Sequence, residues 1–584
     1  MNTLSLDELL PLGILWPLFL ACLLAFRAIR VPTLFLAPWA ALPALAASLL
    51  IAPSEMRWHF PAILLGSEIG LDATGQVFLL LTALLWTVSG VYARAYLSRS
   101  ARYTEFYAFF LLSMAGNFGL IMAQDLFGFY FYLSLMNFAA YGLVVFDRST
   151  AALRAGRVYI VLVVAGELLL FAALLVTAEI TGATTFDAMR TGLALADPVS
   201  RDWVILLGMA GFGIKAGMFG LHVWLPLAHP VAPTPVSAVL SGAMINAGLL
   251  GWLQLLPLGE IALPGWGAMI IILGLTAAFY GVAIGLTQRE PKILLAYSSI
   301  SQMGVITVAL GLGMVIPHAW PIILPTIAFY ALHHGLSKGA LFLGVGLAGS
   351  TNRIQRRWIW LGLWLPALAL AGAPWTSGML AKYLLKTTTL YAPLPWDSLL
   401  PPLLSLSAFI TALLMVRLLY LVRPDAQPSG VAPAAGQIWP WLILLLIVLL
   451  IPGWLTFLMP NLETETVSVK DSLWPIAMAM IIAWSVLRLD MFRKIQPLPA
   501  GDMLVLMERS LRLLYAFGND LINLIYRWKK WQIWLEARFI DRLMAAKERL
   551  QNMEDIFARW DVAMLFVIII ALSMGVIARA YCCA

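Results

Sequence analysis

Four lysines interrupt long apolar runs of this sequence: Lys215, Lys338, Lys382 and Lys292. An ammonium in hydrocarbon costs roughly 3 kcal/mol or more unless it sheds its proton, finds a partner or faces water. Snorkelling to a helix end accounts for Lys292 and in part for Lys382. Lys215 and Lys338 lie nearer the middle of their runs, where snorkelling explains less. A buried amine holds or releases a proton as a nearby charge moves, which is the chemistry of a proton relay. His334 precedes Lys338 by four residues and so shares its helix face. An imidazole there can pass protons at physiological pH, whereas a lone histidine is more often a packed core residue. His333 faces elsewhere on the helix and is given no such role.

Glu167 sits inside VLVVAGELLLFAAL with no basic residue within four positions. A carboxylate there is either protonated or paired across helices. Asn137 and Asn246 are amides at similar depth, whose default role is helix-to-helix hydrogen bonding. His222 and His229 flank a proline cluster, Pro230, Pro233 and Pro235. Such a cluster between two apolar runs breaks the backbone where its freed polar groups line protein or a cavity. The two histidines then either begin a water-filled way in for protons or cap the turn. No acidic or cysteine ligands accompany the histidines at ligand spacing, so no metal site is expected.

The elements that hold these residues are helices in a membrane. The 584 residues are 62% hydrophobic and 11% charged, against about 25% charged in a soluble domain. Apolar runs long enough to cross a bilayer recur from end to end. Hydropathy predicts an all-α polytopic protein with about sixteen spans. A long loop is expected near 179–202, and the span near 358–386 carries Gly372, Pro374 and Gly378 at its middle. The formal charge of +7 comes from arginine in short loops rather than from a nucleic-acid surface. With the N-terminus outside, Arg27, Arg94, Arg148, Arg289 and Arg353 fall on the inner side, while Glu55, Glu68, Glu179 and Glu463 fall outside. Asp7 and Glu8 precede the first apolar run, so no cleaved signal peptide is expected. Cys22, Cys582 and Cys583 give neither a disulfide framework nor metal spacing. Residues 493–560 differ: charged residues alternate with Leu, Ile, Trp and Met at three and four, the pattern of an amphipathic helix. It either lies on the lipid surface or acts as a strut gripping neighbouring subunits.

Three motifs carry a resemblance: KAGMFGLHVWLPLAHPVAPTPVSAVLSG from Lys215, KILLAYSSISQMG from Lys292 and HGLSKGALFLGVG from His334, with a weaker fourth, AGAPWTSGMLAKYLL, reaching Lys382. The chain resembles the antiporter-like membrane subunits of respiratory complex I, multisubunit cation/proton antiporters, membrane-bound hydrogenases and formate hydrogenlyase. The resemblance implies two inverted five-helix repeats, 105–256 and 257–424, each with a broken helix. Residues 1–104 and 425–492 would add further spans, 493–560 a lateral helix, and 561–584 a final anchoring helix. It also implies that Lys215 and Lys382 are the broken-helix lysines, with Lys338 and His334 on a hydrophilic axis between them.

The family usually places a glutamate on the fifth helix to pair with the first lysine; this chain reads FYLSLMNFAAY, with Ser134 at that position. Glu167, one helix on, is the nearby candidate to replace it. Asn246 and Tyr330 likewise stand where a lysine and a histidine are often found. The expected function is proton translocation within a multisubunit complex of the cell (inner) membrane. No cofactor or redox centre of its own is expected, and the partners are other membrane subunits and a peripheral redox or other coupling module. The alternatives are a subunit of a Na+/proton antiporter and the membrane subunit of an inorganic-carbon uptake complex.

Overall fold

The computed structural model describes residues 8–53, 57–61, 66–349, 353–424, 435–458, 469–488 and 496–557. The last expected helix, near 562–581, and Cys582 and Cys583 lie outside the described residues. Helices dominate. They begin with α1 (Leu9–Leu23), α2 (Arg30–Leu36) and α3 (Leu42–Leu50). Then come α4 (Ala73–Tyr96), α5 (Tyr103–Met122), α6 (Leu126–Val144), α7 (Thr150–Thr181), α8 (Phe186–Leu195) and α9 (Pro198–Ala216). The proline region leads into α10 (Trp224–Val231), α11 (Thr234–Val239), a π-helical turn (Leu240–Met244) and α12 (Asn246–Leu255). The remainder comprises α13 (Pro264–Thr287), α14 (Pro291–Val315), α15 (Trp320–Gly349), α16 (Arg353–Ala371), α17 (Ser377–Thr388), α18 (Trp396–Leu421), α19 (Ala435–Leu458) and α20 (Val469–Arg488).

The helix starts arise from acidic or hydroxyl caps just before the apolar runs. The side chains of Asp72, Asp125, Ser149 and Asp197 accept from the backbone N–H of Gly75, Gly128, Ala152 and Ser200, satisfying donors that a helix start leaves free. Asp125 does more than cap: its other oxygen accepts from the Glu68 N–H at 2.8 Å and the Ser67 hydroxyl at 3.1 Å.

Glu68 and Ser67 belong to a feature that an all-helical expectation omits. Strand β1 (Arg57–Phe60) pairs antiparallel with β2 (Ser67–Gly70), with His59 opposite Glu68. Alternating exposure along Arg57–Phe60 is the two-residue period of a strand. Arg57 meets Glu68 at 3.5 Å and Asp187 at 2.5 Å, tying the strand pair to α8. Residues 179–202 do not form the expected long loop. Helix α7 runs on to Thr181 and ends at left-handed Gly182 (φ 64°), and amphipathic α8 fills most of the stretch before α9.

Among the described residues, eleven helical stretches are long and apolar enough to cross a membrane. Those of the expected spans that fall short are informative. They are the short α1, the broken stretches ending in α9 and spanning α16–α17, and α15, whose centre carries His333, His334 and Lys338. In α9, α15 and α16–α17 polar side chains or a break in the helix interrupt the apolar run, while α7, which carries Glu167, remains the most apolar of the spans.

The chain divides into two units, Met1–Met503 and the part from Leu504 onward. From Asp502 to Phe557 the backbone is one 56-residue helix, about 84 Å long at 1.5 Å per residue. Its Leu514, Phe517, Ile525, Trp528 and Phe539 are exposed.

Candidate functional site

Two helices break, and a lysine stands at each break. Helix α9 stops at Ala216 because Gly217 turns left-handed (φ 71°). The carbonyls freed there find other donors. Gly213 accepts from the Met218 N–H at 2.8 Å, and Ile214 accepts from the indole N–H of Trp224 at 2.7 Å. The prolines end the next segment: Pro233 caps α11, Pro235 lies in its first turn, and the Ser237 hydroxyl donates to the His229 carbonyl at 3.1 Å.

With its own helix end already satisfied, Lys215 is left with a free ammonium. It is 5% exposed, and its Nζ forms no hydrogen bond among the described residues. It lies 5.6 Å from the ring centre of Trp224 and 5.9 Å from that of Tyr159, within range of cation–π attraction. The same small cavity is lined by Lys215, Tyr159, Trp224, Asn137 and Glu167. Glu167 Oε2 accepts from the Ser134 hydroxyl at 2.9 Å, and Oε1 accepts from the Asn137 amide at 3.1 Å. The carboxylate of α7 is therefore held by the α6 side chain that stands where an acid was expected. The Asn137 amide bonds across helices, from α6 to α7.

The second break is built differently. Helix α16 ends at Ala371, Gly372 is left-handed (φ 88°), Trp375 adopts φ 61°, and α17 restarts under the Thr376 cap. A β-carbon on Gly378 would collide with the Ala369 carbonyl, so only glycine lets the two half-helices approach this closely. Lys382 Nζ reaches back across the break to donate to the carbonyls of Leu370 at 2.8 Å and Ala371 at 2.9 Å. Its charge sits at the negative end of the α16 dipole. Lys382 also lines the larger of the two cavities, about 80 Å³, with Tyr330, Tyr383 and Lys386.

Between the breaks, Lys338 is fully buried and its Nζ donates to the Leu295 carbonyl of α14 at 2.7 Å. That carbonyl also accepts from Ser299, whose hydroxyl meets Ser241 of the π-helical turn at 2.7 Å. A polar thread thus joins the element after the first break to α14 and α15. His334 is buried, and neither ring nitrogen has a hydrogen-bond partner among the described residues. Lys292 does not simply snorkel: its Nζ donates to the Ala232 carbonyl at the end of α10, at 2.8 Å. His229 is buried with its ring stacked 4.6 Å from Phe342. His222 is buried beside Tyr280, with ring centres 5.3 Å apart.

His333, set aside in the sequence, is a histidine with a specific partner: its Nδ1 lies 2.8 Å from the hydroxyl of Ser377, the first residue of α17. Tyr330, one turn earlier, donates to Gln302 Oε1 at 2.9 Å, and the Gln302 amide donates to Thr411 of α18 at 3.1 Å. The signal that could have found both was the i, i+3 spacing of Tyr330 and His333 on one face of α15.

Residues 123–411 match the family described as the transmembrane part of the NADH:quinone oxidoreductase/Mrp antiporter proteins. The chain is 32% identical to hydrogenase-4 component B of Escherichia coli over 47% of this chain and 42% of that protein. It is 25% identical to a probable K(+)/H(+) antiporter subunit of Rhizobium meliloti over 84% of this chain and 51% of that protein. The chain thus spans about half the length of the curated relatives it matches. A chain of the Mrp complex from a Dietzia species shares the fold, with a TM-score of 0.72 at 22% identity over 88% of this chain and 60% of that one. Both broken helices and all four lysines lie within the matched segment, and through residues 123–411 this integral membrane chain belongs to the NADH:quinone oxidoreductase/Mrp antiporter family.

Proposed function

We propose that this chain is a proton-translocating subunit of a multisubunit membrane complex. The observation that carries the proposal is the shared cavity of Lys215 and Glu167, a free ammonium and a hydrogen-bonded carboxylate at one helix break. In that pair, movement of charge on Glu167 alters the affinity of Lys215 for its proton. Protons load Lys215, with His222 and His229 near the proline break on the way in. They pass the Lys338 and His334 region and leave near Lys382. In this reading residues 105–256 and 257–424 are two inverted repeats in a set of about sixteen spans, and the N-terminus lies outside the cell (inner) membrane. The helix Asp502–Phe557 supports a strut role: its exposed aromatic and aliphatic residues suit a grip on neighbouring membrane subunits. A peripheral redox or other module supplies the energy. The hydrogenase component among the relatives supports a redox partner.

Substituting Lys215→Met should abolish proton movement in proteoliposomes of the assembled complex while the subunits still co-purify; undiminished flux would refute the proposal. Similarity to a probable K(+)/H(+) antiporter favours one second reading, cation/proton exchange. Proton flux that requires K+ or Na+ and no electron donor would select it.

A further inference from the structure

The cavity beside Lys382 is walled mainly by α17, the middle of α18 and the start of α20, with Val305 of α14, Tyr330 of α15 and Ala371 of α16 completing it. Helix α20 lies beyond the segment that matches the family. It contributes Asp471, the one carboxylate among the described residues of the lining, together with Ser472. Four further titratable groups face the same space: Tyr330, Lys382, Tyr383 and Lys386. Their order runs from depth to surface. Tyr330 is buried and joined to Gln302, Lys382 is partly buried at the break, and Lys386 stands one turn further along α17 with its Nζ 3.5 Å from the Ser405 hydroxyl. Asp471 is exposed at the start of α20.

A space holding two lysines and no anion would repel a proton arriving from Lys382. One carboxylate at its exposed edge reverses that gradient, because an opposite charge favours the charged form of each partner. A hydroxyl-lined space of this size also accommodates water, which needs polar partners to enter.

We propose that Asp471, brought by α20 to the edge of the α17–α18–α20 cavity, takes the proton that Lys382 releases into this water-filled half-channel. The transfer balances: the N–H bond of the Lys382 ammonium breaks and leaves a neutral amine. The proton passes through water to the Asp471 carboxylate, forming the carboxylic acid, which then releases it to bulk water and returns to the anion. The inference rests on the proton-translocation proposal for the role of Asp471, but not for the hydration of the cavity.

Two measurements test the halves separately. Ser405→Cys, in full-length protein whose native cysteines are replaced by serine, should react with a membrane-impermeant thiol reagent in proteoliposomes. Ser299→Cys, buried beside Ser241, should not. An unreactive Ser405→Cys overturns the half-channel. In the assembled complex, Asp471→Asn should lower proton flux about tenfold, an order of magnitude less than the smallest contribution usual for a positioned proton-transfer group, and Asp471→Glu should restore most of it. Full flux in Asp471→Asn together with lost flux in Lys382→Met overturns the role of Asp471 alone. Full flux in both overturns the translocation proposal beneath it.

Discussion

The two breaks solve one physical problem in opposite ways. A helix that stops inside the protein leaves carbonyls without partners, and each must find a donor. At the first break the Met218 amide and the Trp224 indole supply them, so the Lys215 ammonium is free to face Glu167. At the second break the Lys382 ammonium itself serves the carbonyls of Leu370 and Ala371. The first lysine is therefore placed for charge exchange with a carboxylate. The second is part of the scaffold as well as part of the route.

The largest expected effect separates these roles. Lys215→Met and Lys382→Met should each reduce flux about a hundredfold or more, the range of a lost proton-transfer group. Their stabilities should differ. Lys382→Met removes two charge-assisted hydrogen bonds and leaves two carbonyls unpaired, costing roughly 3 kcal/mol, whereas Lys215→Met should leave the thermal midpoint unchanged or raised. Equal thermal midpoints for the two variants would break the comparison.

The next effect tests whether the acid can move. Because Ser134 donates to Glu167, the two side chains occupy one locality on facing helices. Glu167→Ser should lower flux about tenfold or more. Adding Ser134→Glu to that variant returns a carboxylate to the same cavity from α6 and should recover most of the loss. Failure of the double variant, with Glu167→Ser alone inactive, would mean that the carboxylate must come from α7. Glu167→Gln should fall between them, since it keeps the size of the side chain but not the charge.

These residues also show what sequence pattern can and cannot carry. Lys215, Gly217 and the prolines declare the first break locally, because a charge and helix-breaking residues fall close together in the chain. Glu167 declares itself costly, yet its partners lie 33 and 30 residues earlier on another helix, and no periodicity encodes that separation. The role of Lys382 was hidden for the same reason: its partners are backbone carbonyls 11 and 12 residues away, which exist as acceptors only because the helix breaks. The strand pair Arg57–Phe60 and Ser67–Gly70 is not legible in the sequence because its strands of four residues are short and sit among apolar helices. Beyond the short α1, the expected spans that fall short among the described residues are α9, α15 and α16–α17, where a charge or a break interrupts the apolar run.

The smallest expected effect concerns the link beyond the second break. His333 meets Ser377 at the first turn of α17, so the α15 axis is joined to the restarted helix through one hydrogen bond. The first break has its own thread into the axis, from Ser241 through Ser299 and the Leu295 carbonyl to Lys338. If the second break is scaffold first, Ser377→Ala should cost about 1 kcal/mol of stability while flux stays within about threefold of the parent. Ser241→Ala removes a link between two hydroxyls, of which Ser299 keeps its bond to the Leu295 carbonyl, so its stability cost should be smaller still. A flux loss in Ser377→Ala as large as that in Lys382→Met would instead make the His333–Ser377 contact part of the proton route, and the two breaks would then be alike.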